Sequence, residues 1–344
     1  MARILVTGGT GYIGSHTTVE LMQQGYDVTI VDNLSNSSLD MLDGITAIVG
    51  KKPDFANIDC GNFMDLDHVF KQFPDIVGVI HFAASKAVGE SVEKPLLYYR
   101  NNLGSLVTLL EVMRLHEVKN IVFSSSCTVY GQPDEDHLPV DETAPIQKAL
   151  SPYGNTKQIN EEIINDEAHA DKTLCATILR YFNPIGAHPS ALIGELPNGV
   201  PQNLLPFITQ TAIGMRPELK VFGDDYNTPD GSCIRDYIYV VDLAKAHVKA
   251  IDRMLNAKDR KRVEVFNLGT GTGYSVLDIV KAFEKVNGIE IPYVIKPRRA
   301  GDIAECFANA EKAEKVLGWK AEKNLEDMCY DSWNWQSHNV NGYR

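Results

Sequence analysis

A chain of 344 residues with 44% hydrophobic and 23% charged residues reads as a soluble globular protein, long enough for a large core and two lobes. Its formal net charge of -12 disfavours non-specific nucleic-acid binding, and an anionic substrate would need locally placed arginines. No apolar run approaches the roughly 18 residues of a membrane helix, and the first residues form a short strand running into glycines rather than a signal peptide. Cys60, Cys127, Cys175, Cys233, Cys306 and Cys329 are scattered without metal-ligand spacing, which predicts reduced thiols in the cytoplasm and no metal site.

Residues 3 to 14 read as strand, glycine turn and helix. Gly8, Gly11 and Gly14 follow a G-x-x-G-x-x-G spacing. Residues without a Cβ let backbone N–H groups approach a pyrophosphate, and the following helix points its positive end at the same anion. A strand over residues 27 to 31 ends at Asp32, about 20 residues past the glycines, where a carboxylate can accept both ribose hydroxyls of adenosine. No arginine follows to hold a 2′-phosphate, so NAD is favoured over NADP.

The alternation continues with a strand at 54 to 59, an amphipathic helix at 63 to 73 and a buried apolar strand at 77 to 82. A long helix spans 95 to 115, and a strand at 120 to 123 runs into Ser124, Ser125 and Ser126. Asp32, Asp59, the segment after Phe82, and Ser126 all fall at carboxyl ends of strands, where ligands sit in doubly wound sheets. A strand at 175 to 180 is expected to close this lobe. The predicted fold class is therefore α/β. A Rossmann-type doubly wound parallel sheet occupies 1–182, and a smaller mixed α/β C-terminal lobe occupies 183–344, with parts of about 233–267 packing back on the first. Residues 184 to 202, rich in Pro, Gly and Asn, form a long irregular loop of the kind that often carries function. Helices follow near 203 to 214, 240 to 257 and from Ser275, with strands near 220, 234 and 263 to 267 and two final helices.

Between the lobes' first elements lies the most suggestive pair. Ser151 suits an N-cap and Pro152 a first helical position. Tyr153 and Lys157, four residues apart, then share one helix face. A lysine charge about 5 Å from the phenol, at an effective dielectric of about 20, favours the phenolate by roughly 3 kcal/mol, or about 2 pKa units. Such a pair could exchange protons with a sugar or alcohol hydroxyl. The spacing also arises by chance in many helices, so the surrounding residues decide its meaning.

With the glycine triplet, Ser126 and Tyr153-x-x-x-Lys157 on one chain, the sequence resembles the extended short-chain dehydrogenase/reductase family. The segments Thr7-Gly8-Gly9-Thr10-Gly11-Tyr12-Ile13-Gly14, Asp32-Asn33-Leu34, His81-Phe82-Ala83-Ala84, Ser124-Ser125-Ser126-Cys127-Thr128-Val129-Tyr130-Gly131, Tyr181-Phe182-Asn183-Pro184, Arg235-Asp236-Tyr237, Arg298-Arg299-Ala300-Gly301-Asp302 and Trp333-Asn334-Trp335-Gln336 narrow the resemblance to its UDP-hexose C4 epimerases. It covers essentially the whole chain.

The resemblance implies NAD as cofactor, UDP-hexoses as substrates and a homodimer. Tyr153, as phenolate, would take the proton from the sugar O4 while a hydride passes from C4 to NAD. The 4-keto sugar would turn about its link to the diphosphate, and the hydride would return to the opposite face. Lys157 would hold the nicotinamide ribose and depress the Tyr153 pKa, and Ser126 would hydrogen-bond at O4. Cofactor contacts carried over are Gly8, Gly11, Tyr12, Ile13 and Gly14 at the phosphates, and Asp32, Asn33, Asn36 and Ser37 at the adenosine ribose. Asp59 and Cys60 fall at the adenine, and Phe82, Ala83, Ala84, Lys86, Asn101, Ser124 and Tyr181 line the rest, beside Tyr153 and Lys157. Substrate contacts are Ser126, Asn183, Asn203, Leu204, Phe222, Arg235, Tyr237, Arg299 and Asp302. Arg235 and Arg299 would supply forked donors to a diphosphate. Cys306 stands where many narrow-specificity members carry tyrosine, which implies room for a 2-acetamido group. Two rival readings remain. In 4,6-dehydratases of this fold an Asp-Glu pair occupies the positions of Cys127 and Thr128. A catalytically silent NAD-binding protein would have no need of Ser126, Tyr153 and Lys157.

Overall fold

The computed structural model describes residues 2–299, 302–340 and 342; Ala300 and Gly301 of the 298–302 segment lie outside the described residues. The first half of the chain runs β1 (Arg3–Thr7), α1 (Tyr12–Gln23), β2 (Asp27–Asp32), α2 (Asp40–Val49), β3 (Asp54–Asn57), α3 (Phe63–Gln72), β4 (Ile76–His81), α4 (Val88–Glu93), α5 (Pro95–Leu115), β5 (Asn120–Ser126), α6 (Pro152–Ala170) and β6 (Cys175–Tyr181). The second half runs β7 (Asn183–Ile185), α7 (Leu204–Ala212), β8 (Leu219–Phe222), β9 (Ile234–Tyr239), α8 (Val240–Asn256), β10 (Val263–Leu268), β11 (Gly273–Ser275), α9 (Val276–Asn287), β12 (Tyr293–Lys296), β13 (Glu305–Cys306), α10 (Glu311–Leu317) and α11 (Leu325–His338).

Seven parallel strands form the central sheet in the order β10-β6-β5-β4-β1-β2-β3. The strand order reverses between β1 and β4, the switch point where such sheets bind ligands. One face packs on α1, α2, α8 and α10 through Ile4, Val6, Ile30, Leu243 and Ile251. The other packs on α3, α5 and α6 through Leu5, Val79, Phe123, Leu109 and Ile164. The expectation that residues 175 to 180 close the sheet is corrected. All seven residues of β6 are buried, a condition an open edge does not meet, and β10 pairs along its whole length.

A second layer gathers around β9, which pairs with β7, β11 and β13, while β8 and β12 form a separate parallel pair. α7, α9 and α11 bury Leu205, Ile279, Phe283 and Met328 against these strands. Local signals set the helix ends. Ser151 caps α6, accepting from the Gly154 N–H at 3.1 Å, and Ser275 forms a capping box with Asp278 at α9. Among the described residues, no helix is long and apolar enough to cross a membrane.

A buried ion pair fixes α6 to the sheet. Arg180 on β6 forks onto Glu161 on α6, with Nη2–Oε2 at 2.6 Å and Nε–Oε1 at 3.0 Å. The two side chains are 8% and 9% exposed. Ser125 donates to the same carboxylate at 2.5 Å, and Arg180 also donates to the Tyr130 hydroxyl at 3.1 Å. Removing one partner strands a buried charge. Arg180→Leu should therefore lower the unfolding free energy by about 3–5 kcal/mol, read from urea denaturation. The double replacement Arg180→Leu with Glu161→Leu should be milder than the single one.

Candidate active site

The glycine turn sits at the switch point. Gly8 adopts φ +70, and a Cβ there would lie 2.9 Å from the Ala83 nitrogen. A Cβ on Gly14 would come within 2.2 Å of the Gly8 carbonyl oxygen. The turn thus exists only with glycine, and it holds the ends of β1 and β4 together. Phe82 and Ala83 N–H groups reinforce this by donating to the Thr7 carbonyl at 3.0 Å and the Thr7 hydroxyl at 3.3 Å. No side chain caps α1 at Gly11, which leaves first-turn amides available to an anion. Tyr12 can serve there only through its backbone, because its hydroxyl donates to the Gly186 carbonyl at 2.7 Å. Ile13 likewise packs its side chain into the core.

At the end of β2, Asp32 accepts from the Leu34 N–H at 2.9 Å, the Ser37 hydroxyl at 3.1 Å and the Thr10 N–H at 3.2 Å. These three donors orient the carboxylate. Leu34 takes the left-handed conformation with φ 58, a strained one for leucine. Asn33 accepts from the Ser35 N–H at 3.0 Å, and Asn36 is an exposed turn residue. β3 ends at Asn57, so Asp59 lies in the turn beyond it and accepts from the Gly61 N–H at 2.8 Å. The Cys60 thiol is buried in the core against the Ser105 carbonyl, so it is not on the rim.

Ser126, Tyr153 and Lys157 meet at the end of β5. Ser126 accepts from the Thr128 N–H at 3.2 Å, and its hydroxyl faces the Tyr153 phenol and favours the phenolate. The Lys157 ammonium is 3% exposed as a residue, donates to the Ser124 carbonyl at 2.5 Å and lies 5.9 Å from the Tyr153 ring centroid. The Ser124 and Tyr181 hydroxyls hydrogen-bond one another. The expected depression of the Tyr153 pKa by Lys157 is corrected. Burial pushes the phenol up to about 12, only partly offset by the Ser126 hydroxyl. Burial also pulls Lys157 down to about 7, so its charge is reduced just where it would act on the phenol.

The remaining candidates flank this centre. Asn101 donates to the Ser85 hydroxyl at 3.1 Å, and Ala84 is half-buried beside it. The exposed Lys86 pairs with Glu195 at 2.9 Å. On the second layer, Asn183 pairs with Tyr237 across β7 and β9, and Cys306 pairs with Arg235 across β13 and β9. Arg235 donates to the Ile234 and Ala304 carbonyls at 2.8 and 3.3 Å. Arg299 lies 4.8 Å over the Phe222 ring and pairs with Asp302 at 3.0 Å. The charges of Arg235, Arg299 and Asp302 all act on the buried Tyr237 phenol, so these two groups face one region. Asn203 and the half-buried Leu204 begin α7. Among the described residues, no three His, Cys, Asp or Glu side chains are grouped to hold a metal.

Sequence reasoning missed three supports. Buried Asn102 accepts from the Ser85 N–H at 2.8 Å and donates to the Thr156 hydroxyl at 3.1 Å, fastening the loop after β4 to α6. Thr156 in turn donates to the Tyr153 carbonyl at 2.7 Å. Asn102 falls on the buried face of α5 with Tyr98, Leu106 and Leu109, and a polar residue in that register was the available signal. Glu195 had no such signal, lying in an irregular loop.

A family model described as GDP-mannose 4,6 dehydratase matches residues 5–332. The UDP-glucose 4-epimerase of Bacillus subtilis (strain 168) is 54% identical over 341 residues, covering 99% of this chain and 98% of that one. The crystal structure of UDP-glucose 4-epimerase from Bifidobacterium longum in complex with NAD+ and UDP matches with a TM-score of 0.95 and 52% identity, over 99% and 100% of the two chains. The UDP-Glc/GlcNAc 4-epimerase from Campylobacter jejuni matches with a TM-score of 0.83 and 34% identity, over 98% and 100%. With this shared sequence and architecture from end to end, the chain belongs to the UDP-glucose 4-epimerase family of extended short-chain dehydrogenase/reductases.

Proposed function

We propose that this chain interconverts UDP-glucose and UDP-galactose by inverting C4, with NAD held at the switch point between β1 and β4. The observation that carries this reading is the contact set of Ser126, Tyr153 and Lys157 at the strand end beside the glycine turn. The residues fit NAD. The Cβ-free turn and the uncapped α1 offer amides to its pyrophosphate, and Asp32 offers an oriented carboxylate to its ribose. When bound, NAD supplies a positively charged, reversible hydride acceptor for the sugar C4.

The chain's own part is the proton. Tyr153 moves it to and from the sugar O4, and Ser126, anchored by the Thr128 N–H, aligns that oxygen. Lys157 braces the pair from below through Ser124. Residues 1–182, with α8 and β10 packed back on them, hold the cofactor. Residues 183–344 otherwise hold the UDP-sugar, with Arg235 and Arg299 at the diphosphate. The six cysteines are all unpaired, which fits a reducing cytoplasm, and the activity belongs to galactose metabolism. A dehydratase would need the acid/base pair that Cys127 and Thr128 do not supply. Replacing Tyr153 by Phe should lower kcat for UDP-galactose by about 10²–10⁴-fold while NAD still copurifies. A variant of full activity would sink the role assigned to Tyr153, and wild-type protein that inverts no C4 would favour a silent binding protein.

Substrate range turns on Cys306. It is buried on β13 beside Phe182 and Ala308, and a thiol there occupies far less volume than a phenol. We read it as admitting a 2-acetamido group, so that UDP-N-acetylglucosamine and UDP-N-acetylgalactosamine also interconvert. The family member from Campylobacter jejuni carries GlcNAc in its description. Cys306→Tyr should remove N-acetyl turnover and keep the glucose/galactose reaction, measured with both substrate pairs in a coupled assay. Wild-type protein inert towards both N-acetyl sugars would refute the idea.

A homodimer is the assembly we assign. Leu96, Leu97, Val107 and Leu115 lie on one exposed stripe of α5, an apolar face that a second copy would cover. Leu96→Glu combined with Val107→Glu should halve the mass measured by light scattering. A wild-type monomer, or an unchanged dimer in the variant, would contradict this.

A further inference from the structure

Glu195 lies in the irregular loop 184–202 and has no part in the binding or chemistry assigned above. Its Oε1 accepts from Lys86 Nζ at 2.9 Å and from Asn203 Nδ2 at 2.7 Å. The carboxylate is 10% exposed, whereas the Lys86 side chain is 45% exposed. A surface lysine has thus been drawn onto a nearly buried acid that a second donor already fixes. An ion pair whose lysine is exposed adds little to stability, so this one is better explained by where it places its donors.

The surrounding contacts point the same way. Lys86 Nζ lies 5.7 Å from the centroid of the Tyr12 ring, and the Tyr12 hydroxyl donates to the Gly186 carbonyl at 2.7 Å. Gly186 stands near the start of the same loop. The first turn of α1 and the segment after β4 are therefore both tied to one loop of the second layer. Asn203, the other donor to Glu195, opens α7 without capping it, so its amide is committed to the carboxylate rather than to its own helix.

We propose that Glu195 is a positioning residue that holds Lys86 towards the dinucleotide and Asn203 towards the UDP-sugar, and so couples the two binding sites through one carboxylate oxygen. This rests on the reading that Lys86 serves the cofactor and Asn203 the substrate. A carboxylate that restrains both donors presets them before either ligand arrives. Its amide analogue keeps the shape and one acceptor oxygen but loses the charge that holds Lys86.

The test uses the holoenzyme and Glu195→Gln. KM for UDP-galactose should rise about tenfold, the difference between a charged and a neutral hydrogen bond, with a smaller fall in kcat. NAD retained after repeated gel filtration should fall as well, while the urea midpoint stays at the wild-type value. Glu195→Asp, which restores the charge, should recover part of both losses. Lys86→Ala and Asn203→Ala separate the two levels of the argument. If Lys86→Ala retains NAD fully and Asn203→Ala leaves KM unchanged, the underlying site reading fails and the coupling with it. If both impair their ligands while Glu195→Gln leaves KM and NAD retention unchanged, the coupling alone is overturned. A lowered urea midpoint with unchanged KM would reduce Glu195 to a structural brace and overturn it too.

Discussion

The hydrogen bond from the Lys157 ammonium to the Ser124 carbonyl organises the site. Pairing of β5 with β4 stops at Phe123, whereas pairing with β6 continues to Ser126. Beyond Phe123 the strand end is therefore held on one side only, and the lysine takes the Ser124 carbonyl in that stretch. A buried ammonium must find such an acceptor or lose its charge, and here it does some of each. The same contact fixes the height of α6 above the sheet, which sets Tyr153 beside Ser126. Asn102 and Thr156 pin the other side of that helix, and Arg180 with Glu161 pins its middle. Tyr153 is thus placed by three separate buried polar networks rather than by its own side-chain contacts.

What was legible in the sequence was local. The glycine turn, the Ser151 cap, Pro152 and the apolar strand runs each depend on neighbours a few residues away. They gave β1, β4, α5 and the start of α6 to within a residue or two. The unread parts are set by distant partners. β7, β11 and β13 have only two or three residues and exist because β9 lies beside them. α2 buries only Met41, Leu42 and Ile45, too short a stripe to stand out. The sheet order beyond β6 likewise depends on β10, which returns after the whole first half of the second layer.

The electrostatics of Tyr153 and Lys157 show the same limit. Helical spacing brought the two groups together, with the ammonium 5.9 Å from the phenol ring centroid. Spacing carries no information about solvent. Burial acts on both groups at once, raising the phenol and lowering the amine, and it is the largest influence on each. The polypeptide alone therefore keeps the phenol protonated at neutral pH. A nearby positive charge would favour the phenolate, and on the proposed function bound oxidised NAD would supply one.

Selection of the sugar is built on different elements. Cys306 and Arg235 are paired neighbours on β13 and β9, so one small sheet carries both the side chain we propose as size-determining and a candidate diphosphate ligand. Ser126, Tyr153 and Lys157 ride on β5 and α6. The two groups meet near Cys127, which follows Ser126 in the chain and packs against the cluster that holds Cys306. A larger residue at position 306 must therefore displace Cys127 or turn towards the sugar. Displacing Cys127 would disturb Ser126 and the chemistry. Turning towards the sugar would shrink the space for a 2-substituent and leave Tyr153 untouched. The packing of Cys127 against Val129 and Tyr130 favours the second course, so on the proposed substrate range a larger residue here would narrow the sugars accepted and spare C4 inversion.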